Sequence, residues 1–340
     1  MIVTFGEILL RLSTANSQLI SQSKSFDALY GGAEANVACA LARWGHQAAF
    51  ITAIPDNELG FTAMQTLLAN NVDTQFIQKT NHRIGMYFLE TGVGLRASKV
   101  IYDRNNTAFS NITKGQFNWH DIFKYKKWFH FSGISAAISQ STADALLEAV
   151  EIASKQGLTI STDINYRSKL WKYGKQPKEV LPELLKYCDI IMGGIDAPEK
   201  VFGIVPAGKN TTNIELSDAD IQSIFGQLHD LFPKASLFAT TLRKVINNNH
   251  HTLQGVIYNN KQLFKSKTID IPQILDRVGG GDAFMAGLIY GSINFDNNLE
   301  KIVNFATSSS VLKHYTFGDV CLSTLEEIEE FSKGSIVIKR

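Results

Sequence analysis

The chain has 340 residues, 44% of them hydrophobic and 19% charged, with a formal net charge of +1. That length buries a large core, as one big α/β domain or a main domain with a small accessory one, and the near-neutral charge gives no reason to invoke nucleic acid or an anionic membrane as partner. Cys39, Cys188 and Cys321 are far apart and form no Cys-x-x-Cys pair, so they read as reduced structural thiols in a cytoplasmic protein; no export signal or long apolar span is visible.

Met1 to Phe5 reads as a buried strand, ended by Gly6-Glu7. Ile8 to Tyr30 alternates in pieces such as Leu10-Arg11-Leu12-Ser13, which suits exposed short strands better than core. Gly31-Gly32-Ala33-Glu34-Ala35-Asn36 then opens a helical run from Val37 to Trp44. Two glycines before a helix let a ligand approach the backbone closely, and Asn36 offers both a donor and an acceptor; taken alone, the segment is also a plain helix start.

Ala48 to Ala53 is the next strand, Pro55 to Gly60 a turn and Phe61 to Asn71 a helix. Two extended segments follow, Gly85 to Glu90 and Ser98 to Arg104. Alternation puts Tyr87 and Leu89 on one side, and Val100, Tyr102 and Arg104 together on another. Such a hairpin is either a lid over a polar ligand or an ordinary half-exposed sheet.

From about Lys126 strands and helices alternate, which implies a parallel sheet covered on both faces. Trp128-Phe129-His130-Phe131 is an apolar strand in which His130 reads as a core histidine. After a helix from about Ser141 to Lys155, the strand Leu158 to Thr162 runs into Asp163-Ile164-Asn165-Tyr166-Arg167, a polar cluster at a strand's C-terminal end, where parallel sheets bind ligands. Helices about Lys178 to Tyr187, Ala197 to Phe202 and Ser217 to Leu231 alternate with strands Asp189 to Met192 and Ser236 to Thr240. Asn247-Asn248-Asn249-His250-His251 reads as a solvated turn, with the two histidines pointing apart.

Asp276-Arg277-Val278-Gly279-Gly280-Gly281-Asp282 precedes the apolar, helix-compatible run from Ala283, and a further helix spans about Leu299 to His314 before Thr324 to Phe331 closes the chain. Three glycines leave the backbone free to aim several N–H groups at one point, and a helix N-terminus favours an anion there. Asp282 on the first turn can accept a proton from an attacking hydroxyl. The plainer reading is a glycine turn with an Asp cap. No Gly-x-x-x-x-Gly-Lys-Ser/Thr is present, and a Rossmann fingerprint would want glycine at Phe284.

Gly31-Gly32-x-x-x-Asn36 and Asp276 through Asp282, in this order, resemble the ribokinase-like (PfkB) carbohydrate kinases over essentially the whole chain. Within that family the likeness is to its 2-keto-3-deoxygluconate kinases, carried by Tyr102-Asp103-Arg104, Phe129 to Ile134, Asp163 to Arg167 with Leu170-Trp171, and Lys313-His314 followed by Gly318-Asp319. The resemblance implies one α/β domain over 1–340, with a central mostly parallel sheet, helices on both faces, and a small inserted β-sheet lid from about 8–30 and 84–105. It implies ATP and Mg²⁺ as cofactors and a homo-oligomer formed through the lid. Sugar-acid contacts then fall on Gly32, Asn36, Tyr87, Tyr102, Arg104 and Arg167, with Arg104 and Arg167 as a carboxylate clamp, although either arginine taken alone also reads as a surface salt-bridge partner. Asp282 is the base beside Gly279, Gly280 and Gly281, and Gly279, Gly281 and Asn304 face the nucleotide. The implied reaction is phosphorylation of 2-keto-3-deoxygluconate to its 6-phosphate; another sugar kinase such as a fructokinase, or a non-catalytic sugar-acid sensor, are the rival readings. The chain departs from the family pattern at Gly194, where an Asn-x-x-Glu that supports Mg²⁺ is frequent, at Arg277, where threonine is frequent, and at Thr241-Leu242-Arg243-Lys244, where a Gly-x-x-Gly is usual.

Overall fold

A strand that is apolar on both sides has no face to give to water, and the run Ala48–Pro55 is buried along its whole length. The computed structural model describes residues 1–206 and 216–334; the remainder of the expected 1–340 domain lies outside the described residues. Along the chain come β1 (Ile2–Phe5), β2 (Leu9–Thr14), β3 (Phe26–Gly31), α1 (Ala33–Arg43), β4 (Ala48–Pro55), α2 (Glu58–Ala69) and β5 (Ile77–Thr80). β6 (Gly85–Glu90) and β7 (Lys99–Asp103) precede α3 (Trp119–Phe123), β8 (Trp128–Ser132), α4 (Gly133–Ala136), α5 (Gln140–Lys155) and β9 (Thr159–Asp163). Next are α6 (Pro177–Leu185), β10 (Ile190–Met192), α7 (Ala197–Phe202), α8 (Asp218–Leu231), β11 (Leu237–Asn247) and β12 (His250–Tyr258). β13 (Leu263–Lys265), β14 (Ile269–Ile271), α9 (Gly280–Asn294), α10 (Leu299–Lys313) and α11 (Leu325–Ser332) complete it.

The large sheet runs β13-β12-β11-β10-β9-β8-β1-β4-β5, with β14 pairing β12. From β5 to β11 the pairings are parallel; β12 and β13 are antiparallel at one edge. Because neighbouring residues of a strand face opposite ways, Val3, Ile51 and Phe129 enter one core with Leu146 of α5, Leu181 of α6 and Ile224 of α8. Ile2, Phe50 and Trp128 enter the other, with Leu41 of α1, Phe284 of α9 and Phe305 of α10. The fold is therefore α/β, a mostly parallel central sheet with helices on both faces. A separate small sheet, β3-β2-β6-β7, pairs β2 with β6 in parallel and its other neighbours antiparallel. No helix of the described residues is long and apolar enough to cross a membrane.

His130 is a buried core side chain, its Nδ1 3.0 Å from Ser161 Oγ, and burial lowers its pKa to about 3. Two expectations change. β2 is buried nearly throughout, not exposed, because it is an inner strand of the small sheet and its one charge, Arg11, points into the protein toward Asp276 and Asp319. The asparagine turn between β11 and β12 is docked, not solvated: Gly94 N donates to Asn249 Oδ1 (2.9 Å), and Asn248 Nδ2 donates to Gly92 O (2.8 Å), fastening the turn to the loop between β6 and β7. The two histidines do diverge, with His250 Nε2 2.6 Å from Asp270 Oδ1 and His251 buried.

Candidate active site

Two helix starts built from glycine converge on one place. Gly279 has φ 82°, a left-handed conformation open to glycine, and caps α9 without a side chain. The turn ends in helix at once, so the first intrahelical bond is Ala283 N to Gly279 O at 2.8 Å. Among the described residues the N–H groups of Gly281 and Asp282 have no hydrogen-bond partner, the state in which a helix N-terminus receives an anion. An Asp cap does not form here, since Asp282 is the third residue of α9.

Gly32 starts α1 opposite. A Cβ there would lie 2.0 Å from Glu7 O, so only glycine lets the two segments cross. Gly32 N donates to Asn36 Oδ1 (3.3 Å), and Asn36 Nδ2 donates to Asp282 Oδ2 (2.6 Å), joining the first glycine turn to the second. Asp282 Oδ1 has no partner among the described residues. Burial raises the Asp282 carboxyl from the usual carboxylate range to about 7; the Asn36 bond opposes this, while the charges of Asp163, Asp319 and Glu34 add to it.

Between these turns and the C-terminal ends of β9 and β10 lies a cavity of about 890 Å³. Gly32, Asn36, Tyr87, Tyr102, Arg104, Arg167, Gly279, Gly280, Gly281 and Asp282 all line it. Asn304 does not; it lies on α10, where its carbonyl accepts the Ser308 hydroxyl at 2.7 Å. The small sheet forms one wall, with Tyr87 and Tyr102 ring centroids 6.4 Å apart and Leu9, Leu89 and Val278 packed among them.

The two expected clamp arginines differ. Arg104 Nε is paired with Glu7 Oε2 at 2.7 Å, both side chains buried, and Thr107 Oγ1 donates to the other Glu7 oxygen at 2.7 Å. Its charge is thus already matched. Arg167 donates to its own neighbour, Tyr166 O, at 3.0 Å and has no ion pair among the described residues. Arg243 and Arg277 also line the cavity without an ion pair among the described residues. Partial enclosure by the cavity wall, with Arg277 and Arg167 nearby, lowers the Arg243 pKa, although the side chain still reaches solvent. Three guanidinium groups without an ion pair among the described residues therefore stand on the wall of one cavity that also carries the carboxylates of Asp163, Asp196 and Asp282, and guanidinium groups suit anionic ligands.

Reading the sequence missed several wall residues. Glu7 follows a strand end, and nothing in its neighbourhood marks it as the partner of Arg104, 97 positions away. Asp163, the last residue of β9, stood in the polar cluster without an assigned role; burial raises it to about 6, against the bond it accepts from Asn165 N at 2.9 Å. Asp319 follows Gly318 in a family-like stretch that suggests no role for it, and it lines the cavity.

The sequence profile described as pfkB family carbohydrate kinase matches residues 1–205. The crystal structure of 2-dehydro-3-deoxygluconokinase from Thermotoga maritima is similar at 37% identity and TM-score 0.92, covering 98% of this chain and 99% of that one. A PfkB family carbohydrate kinase from Listeria grayi is similar at 33% identity and TM-score 0.89, again over 98% and 99%. The 2-dehydro-3-deoxygalactonokinase of Haloferax volcanii is 27% identical over 333 residues, 98% of this chain and 96% of that protein.

Proposed function

This chain belongs to the pfkB family of carbohydrate kinases, and from that premise we propose that it transfers the terminal phosphate of ATP to a 2-keto-3-deoxy sugar acid, 2-keto-3-deoxygluconate, giving the 6-phosphate. The observation that carries the acid over a neutral sugar is Arg167, a cation without an ion pair among the described residues, on the same cavity as Asp282. A guanidinium meets a carboxylate through a planar fork of donors in a charge-assisted pair, whereas a neutral sugar offers only uncharged hydroxyls. Arg104, oriented by Glu7, and the two tyrosines shape the sugar's side of the cavity.

In this mechanism the sugar's terminal hydroxyl lies against Asp282 Oδ1, which takes its proton as the oxygen attacks phosphorus in line. A carboxylate with a pKa near 7 is a stronger base than an ordinary one and still mostly ionised above neutrality. The amides of Gly281 and Asp282 hold the charge that builds on the transferred phosphoryl group, and Arg243 and Arg277 meet the rest of the polyphosphate. Among the described residues no three His, Cys, Asp or Glu are grouped to cage a metal. Magnesium needs only one or two carboxylates when substrate phosphates complete its shell; Asp163, and Asp196 through the oxygen left by its pair with Lys200, are the cavity-wall carboxylates that would hold it. When bound, Mg²⁺ supplies neutralisation of phosphate charge.

The test is ADP release with 2-keto-3-deoxygluconate, 2-keto-3-deoxygalactonate, fructose and no acceptor, for the parent chain and Arg167→Ala. A ketodeoxy acid is expected to give the highest kcat/KM, and Arg167→Ala to lower it roughly 10- to 100-fold, the worth of one charge-assisted interaction. Fructose turned over fastest, with no effect of Arg167→Ala on it, would replace the acid by a neutral sugar.

A further inference from the structure

Arg11 sits in β2 as a charge in an alternating strand, and no step of the phosphoryl transfer uses it. Its guanidinium is buried, with Nη2 2.7 Å from Asp276 Oδ2, Nη1 2.6 Å from Asp319 Oδ1, and Nε donating to Ser13 Oγ at 2.7 Å. All three nitrogens are thus engaged. Its register partner on β6, Tyr87, donates its hydroxyl to the other Asp319 oxygen at 2.5 Å. Two strands of the small sheet therefore hold one carboxylate, which belongs to the loop after α10.

Asp276 and Asp319 each shape the glycine turns. Asp276 accepts from Val278 N through Oδ1 and from Gly318 N through Oδ2, both at 3.1 Å, which folds the root of the glycine loop. Asp319 fills the space a side chain would need at the turns: a Cβ on Gly279 would lie 1.8 Å from its carbonyl oxygen, and one on Gly31 2.5 Å from its Oδ2. Burial works against the Arg11 charge, and Asp319 foremost, with Tyr87 and Asp276, more than offsets it.

We propose that Arg11 is a positioning residue for phosphoryl transfer: it ties the inner strand of the small sheet to Asp276 and Asp319, so that one contact sets both the seat of the lid over the sugar and the shape of the glycine loop under the phosphate. The inference deepens the kinase reading and rests on it. The consequence is coupling. A sheet that settles over a sugar pulls on the carboxylates that fix the N–H groups receiving the phosphate, and a loosened sheet releases them. Lysine cannot replace the fork, because an ammonium is a point charge that lacks arginine's rigid bidentate geometry.

The test uses the full chain with Arg11→Lys, Arg11→Met and Tyr87→Phe, reading melting temperature, kcat, both KM values, ADP release without sugar, and hydrogen exchange. Arg11→Lys is expected to fold, to lose about tenfold or more in kcat with KM for ATP changed less than about twofold, and to release more ADP without sugar relative to that with sugar. Exchange should quicken together in residues 85–90 and 276–282. A purely structural role would lower the melting temperature while leaving kcat per folded molecule and that ratio at parent values, and this result overturns the proposal. If Arg11→Met does not fold, Arg11→Lys and Tyr87→Phe carry the decision. Should the parent turn over no sugar acid, the substrate reading fails separately, and exchange still decides: joint quickening supports the tie, and quickening of 85–90 alone overturns it.

Discussion

Asp282→Asn is expected to bind the sugar acid about as tightly as the parent chain and to turn it over slower by a factor on the order of 10³, within the range of a lost general base. The substitution keeps shape and an oxygen for Asn36 Nδ2 but removes the ability to take a proton. In the parent, activity should fall as pH drops through about 7, where the carboxylate protonates. The same shift has a stability consequence of defined sign. The folded carboxyl, with a pKa of about 7 against an ordinary 3.8, holds its proton more tightly than the unfolded one. Its contribution favours folding below about pH 4 and is lost as pH rises to 7, leaving a partly sheltered charge. Asp282→Asn should therefore melt above the parent at pH 8, with the gap narrowing toward pH 4; calorimetry across that range checks it. Retained turnover would remove Asp282 as the base, and equal melting at every pH would remove the burial argument.

Gly279→Ala should lose both stability and activity. The position needs φ 82° and has the Asp319 carbonyl oxygen 1.8 Å from where the methyl would go. Left-handed backbone alone costs about 1–2 kcal/mol for an L-residue, and the overlap must also move the Asp319 loop, for a total on the order of 3 kcal/mol or more. Misplaced amides should lower kcat by about 10² or more, the scale of one lost oxyanion donor. Gly281→Ala is the control, since no heavy atom lies within 4 Å of the place its methyl would take and the fold should tolerate it. That methyl would instead stand over the open amides and raise KM for ATP. Thermal melts and steady-state kinetics on the pair separate a structural glycine from one that keeps a surface clear. A Gly279→Ala chain that melts and turns over like the parent would contradict the loop's assigned geometry.

Much of this was legible along the chain because it is local. Continuous apolar runs announced the buried parallel strands, and glycines before apolar periodicity announced the starts of α1 and α9. The acid after the triglycine could be read as a candidate base or as a cap from its sequence neighbours, whereas its bond to Asn36, 246 positions away, could not be read there. What stayed hidden depends on partners far away in sequence. Arg104 could be read as a clamp or as a salt-bridge partner, but its partner Glu7, 97 positions earlier, could not be named. β2 looked exposed because alternation around Arg11 is how a solvated strand reads, and its carboxylate partners come from near the other end of the chain. The asparagine turn looked wet because amides suit water, yet they suit the backbone of Gly92 and Gly94 equally well. Polar patterning shows that a group needs a partner and leaves open whether water or protein supplies it.

The proposed mechanism depends on one cavity bringing the nucleotide's terminal phosphate and the sugar's alcohol together at the turn from Gly279 to Asp282. Crystals grown with a non-hydrolysable ATP analogue, Mg²⁺ and 2-keto-3-deoxygluconate test this most directly. Terminal phosphate oxygens are expected on the amides of Gly281 and Asp282, the sugar carboxylate on Arg167, and the terminal hydroxyl at about 2.6–3.2 Å from Asp282 Oδ1. A map with the analogue's phosphates bound away from that turn, or with the sugar's hydroxyl facing away from Asp282, would contradict it.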